Sequence, residues 1–190
     1  MGSPKALLRY RGHTFLDTLI SLFAARCSPV IVVLGADADK IRRGLSCGTS
    51  CDNAPHATFV INPDYRTGQT SSMQCGLRAV PGQADGVLFT LVDHPALAPS
   101  TIAALTGPLP DGGPSALLRI PRWNGRRGHP IWISKSLVPE FLALPAGSSA
   151  RDVVTQHAGE IAYIDVDDPG ILADVDDPAA YASLMAGSGA

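Results

Sequence analysis

One segment of the chain, residues 86–95, constrains the fold more than any other. Its sequence, GVLFTLVDHP, is a mostly apolar, β-favouring run that ends in an aspartate, with a proline two positions later. A continuous apolar run of this length is typical of a strand covered on both faces, as in a parallel sheet. Asp93 is then predicted at or just past the carboxyl end of the strand, where open α/β sheets bind ligands. A carboxylate at that edge is rarely needed for packing and is well placed to hold a metal ion.

The overall composition favours one soluble domain. The chain has 190 residues, of which 45% are hydrophobic and 17% are charged, so a full core is expected and disorder is not. A formal net charge of -2 gives no electrostatic reason to expect nucleic acid or an anionic membrane as a partner. We expect a cytoplasmic protein with a single domain over residues 1–186 and a short tail at 187–190. The cysteines lack zinc-site spacing and are expected to be free thiols: Cys27, Cys47, Cys51 and Cys75.

Predicted strands alternate with predicted helices along the chain, which indicates a layered α/β fold. The strands are expected at residues 29–34, 58–61, 86–92, 115–120, 130–134 and 161–165. One helix is expected near residues 99–105. The others are expected to begin at these capping positions: Thr14 with Asp17, Asp37 or Asp39, Ser71 with Gln74, Ser149, and Asp177 with Pro178.

Two aspartates are candidates for a metal site. Asp93 follows a predicted strand, and Asp176 lies just before the last predicted helix. Carboxylates from separate loops that meet at one sheet edge suit Mg²⁺, which completes its ligand shell with waters and substrate phosphates. The alternative is that Asp174, Asp176 and Asp177 are ordinary capping or turn residues.

Two loops offer polar groups for a ligand. Residues 68–72 (GQTSS) precede a predicted helix, whose N-terminus would attract an anion or a polar ring. The simpler alternative is a capped helix after a flexible loop. Residues 126–130 (RRGHP) could clamp phosphate through the arginines and hold a substrate through His129, or could be a solvated basic turn. Lys5, near the start of the chain, would by itself be a surface residue.

Taken together and in order, these segments resemble the MobA-like nucleotidyltransferases, and most closely the molybdenum cofactor cytidylyltransferases. The resemblance covers nearly the whole chain and implies a three-layer Rossmann-like fold of the nucleotide-diphospho-sugar-transferase type with a mostly parallel sheet. The similar segments are PKALL at 4–8, VIVVLG at 30–35, NPDY at 62–65, GQTSSMQCGL at 68–77, LVDHP at 91–95, GHP at 128–130 and DVDDP at 174–178.

The resemblance implies transfer of CMP from CTP to the phosphate of molybdopterin, with release of pyrophosphate. Mg²⁺ would be held by Asp93 and Asp176, with Asp93 and Lys5 as the catalytic residues. The nucleotide would be bound by Lys5, Asn62, Ser71, Ser72 and Asp93, and the pterin substrate by Gly128 and His129. Partners would be CTP or GTP, the molybdenum cofactor and a recipient molybdoenzyme. The open alternatives are guanylyl transfer, nucleotidyl transfer to a sugar phosphate, and a non-catalytic chaperone of the cofactor.

The chain departs from the family pattern at its beginning. In the family a first strand and a Gly-rich loop precede the PKALL segment, whereas here the sequence begins at Met1-Gly2. Without that strand we expect the ladders of the strands near Val30 and Val87 to lack a partner on one side. Either the natural start lies upstream, or the chain is a truncated paralogue with weak activity. Gln69 and Thr70 also differ from the family loop and leave the choice of base open.

Overall fold

The computed structural model describes residues 3–46, 57–109 and 116–187. Its strands are β1 (Arg9–Tyr10), β2 (His13–Thr14), β3 (Val30–Leu34), β4 (Ala57–Ile61), β5 (Gly86–Phe89), β6 (Leu118–Trp123), β7 (Arg126–Arg127), β8 (Ile131–Ser134) and β9 (Ile161–Asp165). Its helices are α1 (Phe15–Ala24), α2 (Ala38–Gly44), α3 (Gln69–Arg78), α4 (Pro99–Thr106), α5 (Val138–Ala143), α6 (Ala150–Gln156) and α7 (Pro178–Gly187). Short 3₁₀ helices lie at Lys5–Leu7, Tyr65–Thr67, Lys135–Leu137, Ala158–Glu160 and Pro169–Leu172.

The two main sheets, β3–β4 and the five-stranded sheet that contains β5, include both parallel and antiparallel strand pairs. β3 and β4 form a parallel pair, in which Val30 lies opposite Ala57 and Leu34 opposite Ile61. In the second sheet β8 lies between β5 and β6 and is antiparallel to both, while β9 is parallel to β6. The predicted α/β class is confirmed. The expectation of a mostly parallel sheet is corrected to a mixed one, because β8 enters the sheet antiparallel to its neighbours.

Strand β5 is shorter and more open than the apolar run predicts. Its pairing with β8 ends where Phe89 lies opposite Ile131. The residue just before β8 is Pro130, which has no N–H to continue the hydrogen-bond ladder. Residues 90–92 therefore separate the strand from Asp93, and β5 itself is only half-buried.

The expected gap in the sheet is confirmed within the described residues. There β3 pairs only with β4, and β5 pairs only with β8, so each has one edge without a strand partner. The two sheets are joined instead through helix α3. Gly76 brings this helix against Val33 of β3, where an added Cβ would lie 2.9 Å from the valine side chain. Two residues earlier in the same helix, the Gln74 amide donates to the carbonyls of Phe141 and Leu144 at the end of α5, at 3.0 and 2.9 Å.

The predicted caps explain three of the seven described helix starts. Thr14 accepts a hydrogen bond from the Asp17 amide, and Ser149 forms a capping box with Asp152. Asp177 accepts from the Ala180 amide in the first turn of α7. These three predictions are confirmed. The predicted start of a helix at Ser71 is wrong: α3 begins at Gln69, after Gly68 (φ 121°) has turned the chain.

The core around the helices fixes the segment that leads to Asp93. Val92 packs against three hydrophobic clusters, which contain residues of α1, β3 and the C-terminal segment. Asp93 therefore starts from well-anchored backbone. Cys27 and Cys75 are free thiols, as predicted, whereas Cys47, Cys51 and residues 188–190 of the predicted tail lie outside the described residues. Within the described ranges, no helix is both long and apolar enough to span a membrane.

Candidate functional site

The C-terminal segment is held beside the loop that follows β5. The Val175 amide donates to the Asp93 carbonyl at 3.1 Å, and the Val175 side chain is buried. Because side chains alternate along an extended segment, the residues on either side of Val175 point away from the core. Asp174 and Asp176 are accordingly exposed, next to Asp93.

Lys5 lies between two of the predicted site carboxylates. Its ammonium donates to Asp176 Oδ1 and lies 3.6 Å from Asp93 Oδ2. Partial burial lowers the pKa of Lys5, but the hydrogen bond to Asp176 and the charge of Asp93 outweigh burial and leave that pKa raised. The hydrogen bond from Lys5 is also the main cause of the lowered pKa of Asp176. Both groups are therefore charged at neutral pH.

The other oxygen of Asp93 faces a buried histidine. Asp93 Oδ1 lies 3.7 Å from His94 Nε2. Among the described residues, neither this oxygen nor His94 Nδ1 has a hydrogen-bond partner, although both atoms are buried. Asp174 is close to both residues, and one potential ligand atom from each of the three lies within 4.8 Å of the others. Burial and the charges of Asp93 and Asp176 raise the pKa of Asp174, so a cation at this place would relieve repulsion between carboxylates. The donor set fits a divalent cation.

His129 packs against His94 on the side of β5. The two rings lie 4.9 Å apart between centroids. Burial, together with the nearby His94, lowers the pKa of His129 to about 4, and burial likewise lowers the pKa of His94. His129 is therefore neutral at physiological pH. Its backbone is fixed by a bond from its amide to the Ile171 carbonyl at 3.0 Å, and Gly128 lies so close to Ile171 that a Cβ would be 2.2 Å from that oxygen.

A second polar group lies after β4. Asn62 is 4% exposed, and its amide donates to Ser71 Oγ at 2.9 Å and Ser72 Oγ at 3.0 Å. Asn62 Oδ1 accepts from the Asp64 amide at 3.0 Å. The Ser71 hydroxyl donates to the carbonyls of Gly68 and Asp64. The three predicted nucleotide-binding residues Asn62, Ser71 and Ser72 thus form one network at the start of α3.

These contacts sort the predicted site residues into groups. Lys5, Asp93 and Asp176 meet at one place, and Gly128 and His129 lie beside it through His94. Within the described part of the chain, no hydrogen bond or ion pair connects Asn62, Ser71 or Ser72 with Lys5 or Asp93. The arginines of the basic turn are exposed on β7, and the Arg127 guanidinium lies 5.3 Å from the Tyr163 ring centroid.

Comparison with known proteins identifies the family. Residues 1–161 match the model of the MobA-like NTP transferase domain. The chain belongs to this family. Nicotine blue oxidoreductase of Paenarthrobacter nicotinovorans is 32% identical over 179 residues, which are 91% of this chain and 83% of that protein. Molybdenum cofactor cytidylyltransferase of Escherichia coli K12 is 28% identical over 178 residues, 94% of this chain and 85% of that protein.

Solved structures share the fold of this chain. A crystal structure of Rv0371c from Mycobacterium tuberculosis is 25% identical and superposes with a TM-score of 0.75, covering 98% of this chain and 91% of that one. The same protein is also known in complex with manganese, with 25% identity, a TM-score of 0.72, and coverage of 96% of this chain and 91% of that one. The predicted family and its Rossmann-like α/β fold are therefore confirmed.

Two residues of this MobA-like site were not singled out from the sequence. His94 is adjacent to Asp93, but its burial and its unpartnered nitrogen are visible only in the fold. Asp174 has the same spacing signal as Asp176, since residues two apart in an extended segment share a face. The sequence pattern alone indicates only a capping or turn residue at this position. The structure places Asp174 with Asp93 and His94, and Asp176 on Lys5.

Proposed function

We propose that this MobA-like protein is a cytidylyltransferase that uses CTP and the molybdenum cofactor. The observation that carries the proposal is the grouping of Lys5, Asp93 and Asp176 in a chain related to a molybdenum cofactor cytidylyltransferase. An ammonium beside two carboxylates supplies the positive charge that a triphosphate needs and anionic oxygens for a divalent cation. The reaction would take place in the cytoplasm, and a molybdoenzyme would receive the product.

The proposed reaction is an in-line displacement at phosphorus. A terminal phosphate oxygen of molybdopterin forms a bond to the α-phosphorus of CTP, the α–β phosphoanhydride bond breaks, and pyrophosphate leaves with that electron pair. Catalysis of such transfers rests mainly on positioning and on stabilising the developing charge. A bound divalent cation, which we propose to be Mg²⁺, would offset negative charge on the phosphates. Lys5 would exchange its carboxylate partners for phosphate oxygens.

The remaining predicted residues receive roles that fit their surroundings. Ser71 and Ser72 lie in the first turn of α3, and a helix N-terminus favours an anion or a polar base edge. Asn62 would hold the two hydroxyls in place. His129 would face the pterin as a neutral imidazole, because its pKa is about 4, and so would offer a hydrogen bond rather than a charge.

The decisive experiment measures pyrophosphate release from the purified chain with CTP, molybdenum cofactor and Mg²⁺. We expect release that requires all three and is at least about tenfold faster with CTP than with GTP, a preference of about 1.4 kcal/mol. Faster release with GTP would indicate the guanylyltransferase alternative, and release with a sugar phosphate as acceptor would indicate the third transferase. A Lys5→Met variant should lose release, with Lys40→Met, an exposed lysine of α2, as the matched control.

A second candidate function is that of an oxidoreductase. It comes from the relative named nicotine blue oxidoreductase, which is 32% identical to this chain. Its assay replaces CTP and molybdenum cofactor with the dye that the relative's name gives and a chemical reductant, and follows the absorbance of the dye. Protein-dependent reduction of the dye, without pyrophosphate release, would replace the transferase proposal. Binding of molybdenum cofactor with neither activity would support the chaperone alternative.

A further inference from the structure

We propose that His94 is a direct ligand of the divalent-cation site, together with Asp93 and Asp174. An imidazole ligand would make the site select Mn²⁺, Co²⁺ or Zn²⁺ over Mg²⁺ in binding strength. The inference refines the cation site of the proposed function, but its test requires neither nucleotide nor turnover.

The first observation is an unsatisfied imidazole inside the protein. His94 is 5% exposed, and its Nδ1 has no hydrogen-bond partner among the described residues. Buried side-chain nitrogens almost always have a partner, and one left without costs about 1–3 kcal/mol. A histidine that served only to fill space would be replaceable by an apolar side chain at no such cost. The other ring nitrogen, Nε2, faces Asp93 Oδ1 from 3.7 Å, beyond hydrogen-bond distance, so it is available to a ligand.

The second observation is that the carboxylate facing His94 Nε2 also has an unsatisfied oxygen. Asp93 Oδ1, which lies 3.7 Å from His94 Nε2, is also buried without a partner. Asp174 completes a group whose potential ligand atoms lie within 4.8 Å of one another. Metal–ligand bonds of about 2.0–2.2 Å place neighbouring ligands roughly 3–4 Å apart, so small side-chain rotations would close the site.

The two oxygens of Asp93 allow a cation and a lysine to act side by side. Oδ2 faces Lys5 at 3.6 Å, whereas Oδ1 faces His94. In the absence of nucleotide, a cation bound to Oδ1 would therefore leave the Lys5 ion pair with Asp176 in place. This division separates the cation site of Asp93, His94 and Asp174 from the phosphate-facing lysine.

The chemistry of the donor set determines the preferred ion. Mg²⁺ prefers an all-oxygen octahedron and retains its waters, whereas imidazole suits first-row transition metals. One nitrogen and two carboxylates should therefore bind Mn²⁺ more tightly than Mg²⁺, and Zn²⁺ more tightly than Mn²⁺, in line with the usual order of divalent ions. Abundant Mg²⁺ could still occupy the site at cellular concentrations.

The experiment uses Mn²⁺ alone with the full chain. Electron paramagnetic resonance titration gives its dissociation constant, and electron spin-echo modulation detects nitrogen bound to Mn²⁺. We expect a modulation from directly coordinated imidazole nitrogen that changes frequency when the histidines carry ¹⁵N. In His94→Asn the modulation should vanish and Mn²⁺ binding should weaken at least about tenfold, since even outer-shell changes cost roughly 10–100-fold. Competition of Mg²⁺ against Mn²⁺ should show that His94→Asn weakens Mg²⁺ binding less than it weakens Mn²⁺ binding.

The control is His13→Asn, an exposed histidine of β2, which should bind Mn²⁺ like the parent. Thermal unfolding followed by circular dichroism shows whether each variant is folded. The nitrogen signal of the parent tests the proposal even if a variant fails to fold. Bound Mn²⁺ with no nitrogen modulation in the parent would overturn the proposal. So would a signal that survives in His94→Asn but disappears in His129→Asn. Failure of CTP turnover would leave these readouts unchanged, so the two proposals fail separately.

Discussion

At the scale of single residues, Asp93 connects the sequence pattern to the chemistry. Its position after an apolar run predicts a carboxylate near the sheet edge, and the structure gives its two oxygens different neighbours. Val92, packed into three core clusters, fixes the backbone from which both oxygens are aimed. The sequence could not predict that the two oxygens have different neighbours. Those neighbours, Lys5, His94 and Asp174, come from separate segments that only the fold brings together.

Replacing Asp93 by Asn should therefore abolish activity and keep the fold. The amide has the same shape but no charge, so it binds a cation much more weakly and forms no ion pair with Lys5. We expect cation-dependent pyrophosphate release to fall at least about 100-fold, as for the loss of one charge-stabilising group in other enzymes. The thermal unfolding midpoint should change by only a few degrees. Asp39→Asn, at an exposed aspartate of α2, is the matched control. Turnover within a few-fold of the parent would refute the role of Asp93.

Gly128 should tolerate no side chain. An added Cβ would lie 2.2 Å from the backbone oxygen of Ile171, and backbone cannot move aside as a flexible side chain can. We expect Gly128→Ala to lower the free energy of unfolding by about 1–3 kcal/mol. Gly159→Ala, where nothing lies within 4 Å of the new carbon, should leave stability unchanged or slightly raised. Urea unfolding of the two variants makes the comparison, and equal effects would contradict it.

At the scale of elements, local signals were reliable and long-range ones were not. The caps at Thr14, Ser149 and Asp177 correctly predict α1, α6 and α7, because a cap involves only the first turn of its helix. The pattern predicts the start of α3 at Ser71, whereas the helix begins at Gln69. The reason is the positive φ of Gly68, which the neighbouring residues do not predict. The length and direction of β5 depend on β8, about forty residues away, and so could not be read from the apolar run.

His157 connects α5 with the turn before β9 and should make stability depend on pH. Its ring nitrogens lie 2.8 Å from Glu140 and 2.6 Å from Glu160, and these two hydrogen bonds raise its pKa above the usual 6.5. A raised folded-state pKa stabilises the protein below the unfolded pKa, and this contribution is lost as pH rises through the folded value. Urea unfolding from pH 5.5 to 9 should show a stability advantage of the parent over His157→Gln that shrinks with rising pH.

The exposed His13 again provides the control, since the free energy of unfolding of His13→Gln should match that of the parent at every pH in this range. The pH-dependent part of the difference should be small, because ion pairs near the surface contribute only about 0–1 kcal/mol. A difference between parent and His157→Gln that grows with rising pH would show that the sign, and hence the proposed pairing, is wrong.

At the scale of the whole molecule, two main sheets are joined by helices and by the C-terminal segment, with β1 and β2 as a separate small pair. The alternation of predicted strands and helices was sufficient for the α/β class, and the ordered motifs for the family. The sequence did not reveal the contact that holds the C-terminal segment. Asp168 is 3% exposed and accepts hydrogen bonds from Ala98, Thr101 and Gly170, at 2.8, 2.6 and 2.8 Å.

Asp168 should consequently matter for both stability and the site. Its loss would leave three donors without an acceptor and would free the segment that carries Asp174 to the cation site. We expect Asp168→Ala to lower the free energy of unfolding by about 3 kcal/mol, since each buried group left unpaired costs about 1–3 kcal/mol. Asp177→Ala, at an exposed cap in the same segment, should cost only about 1 kcal/mol. In the folded state at low urea, Asp168→Ala should also bind Mn²⁺ more weakly than Asp177→Ala does. Equal losses of stability in the two variants would mean that the segment is held by its apolar contacts, Ile171 and Val175, rather than by this carboxylate.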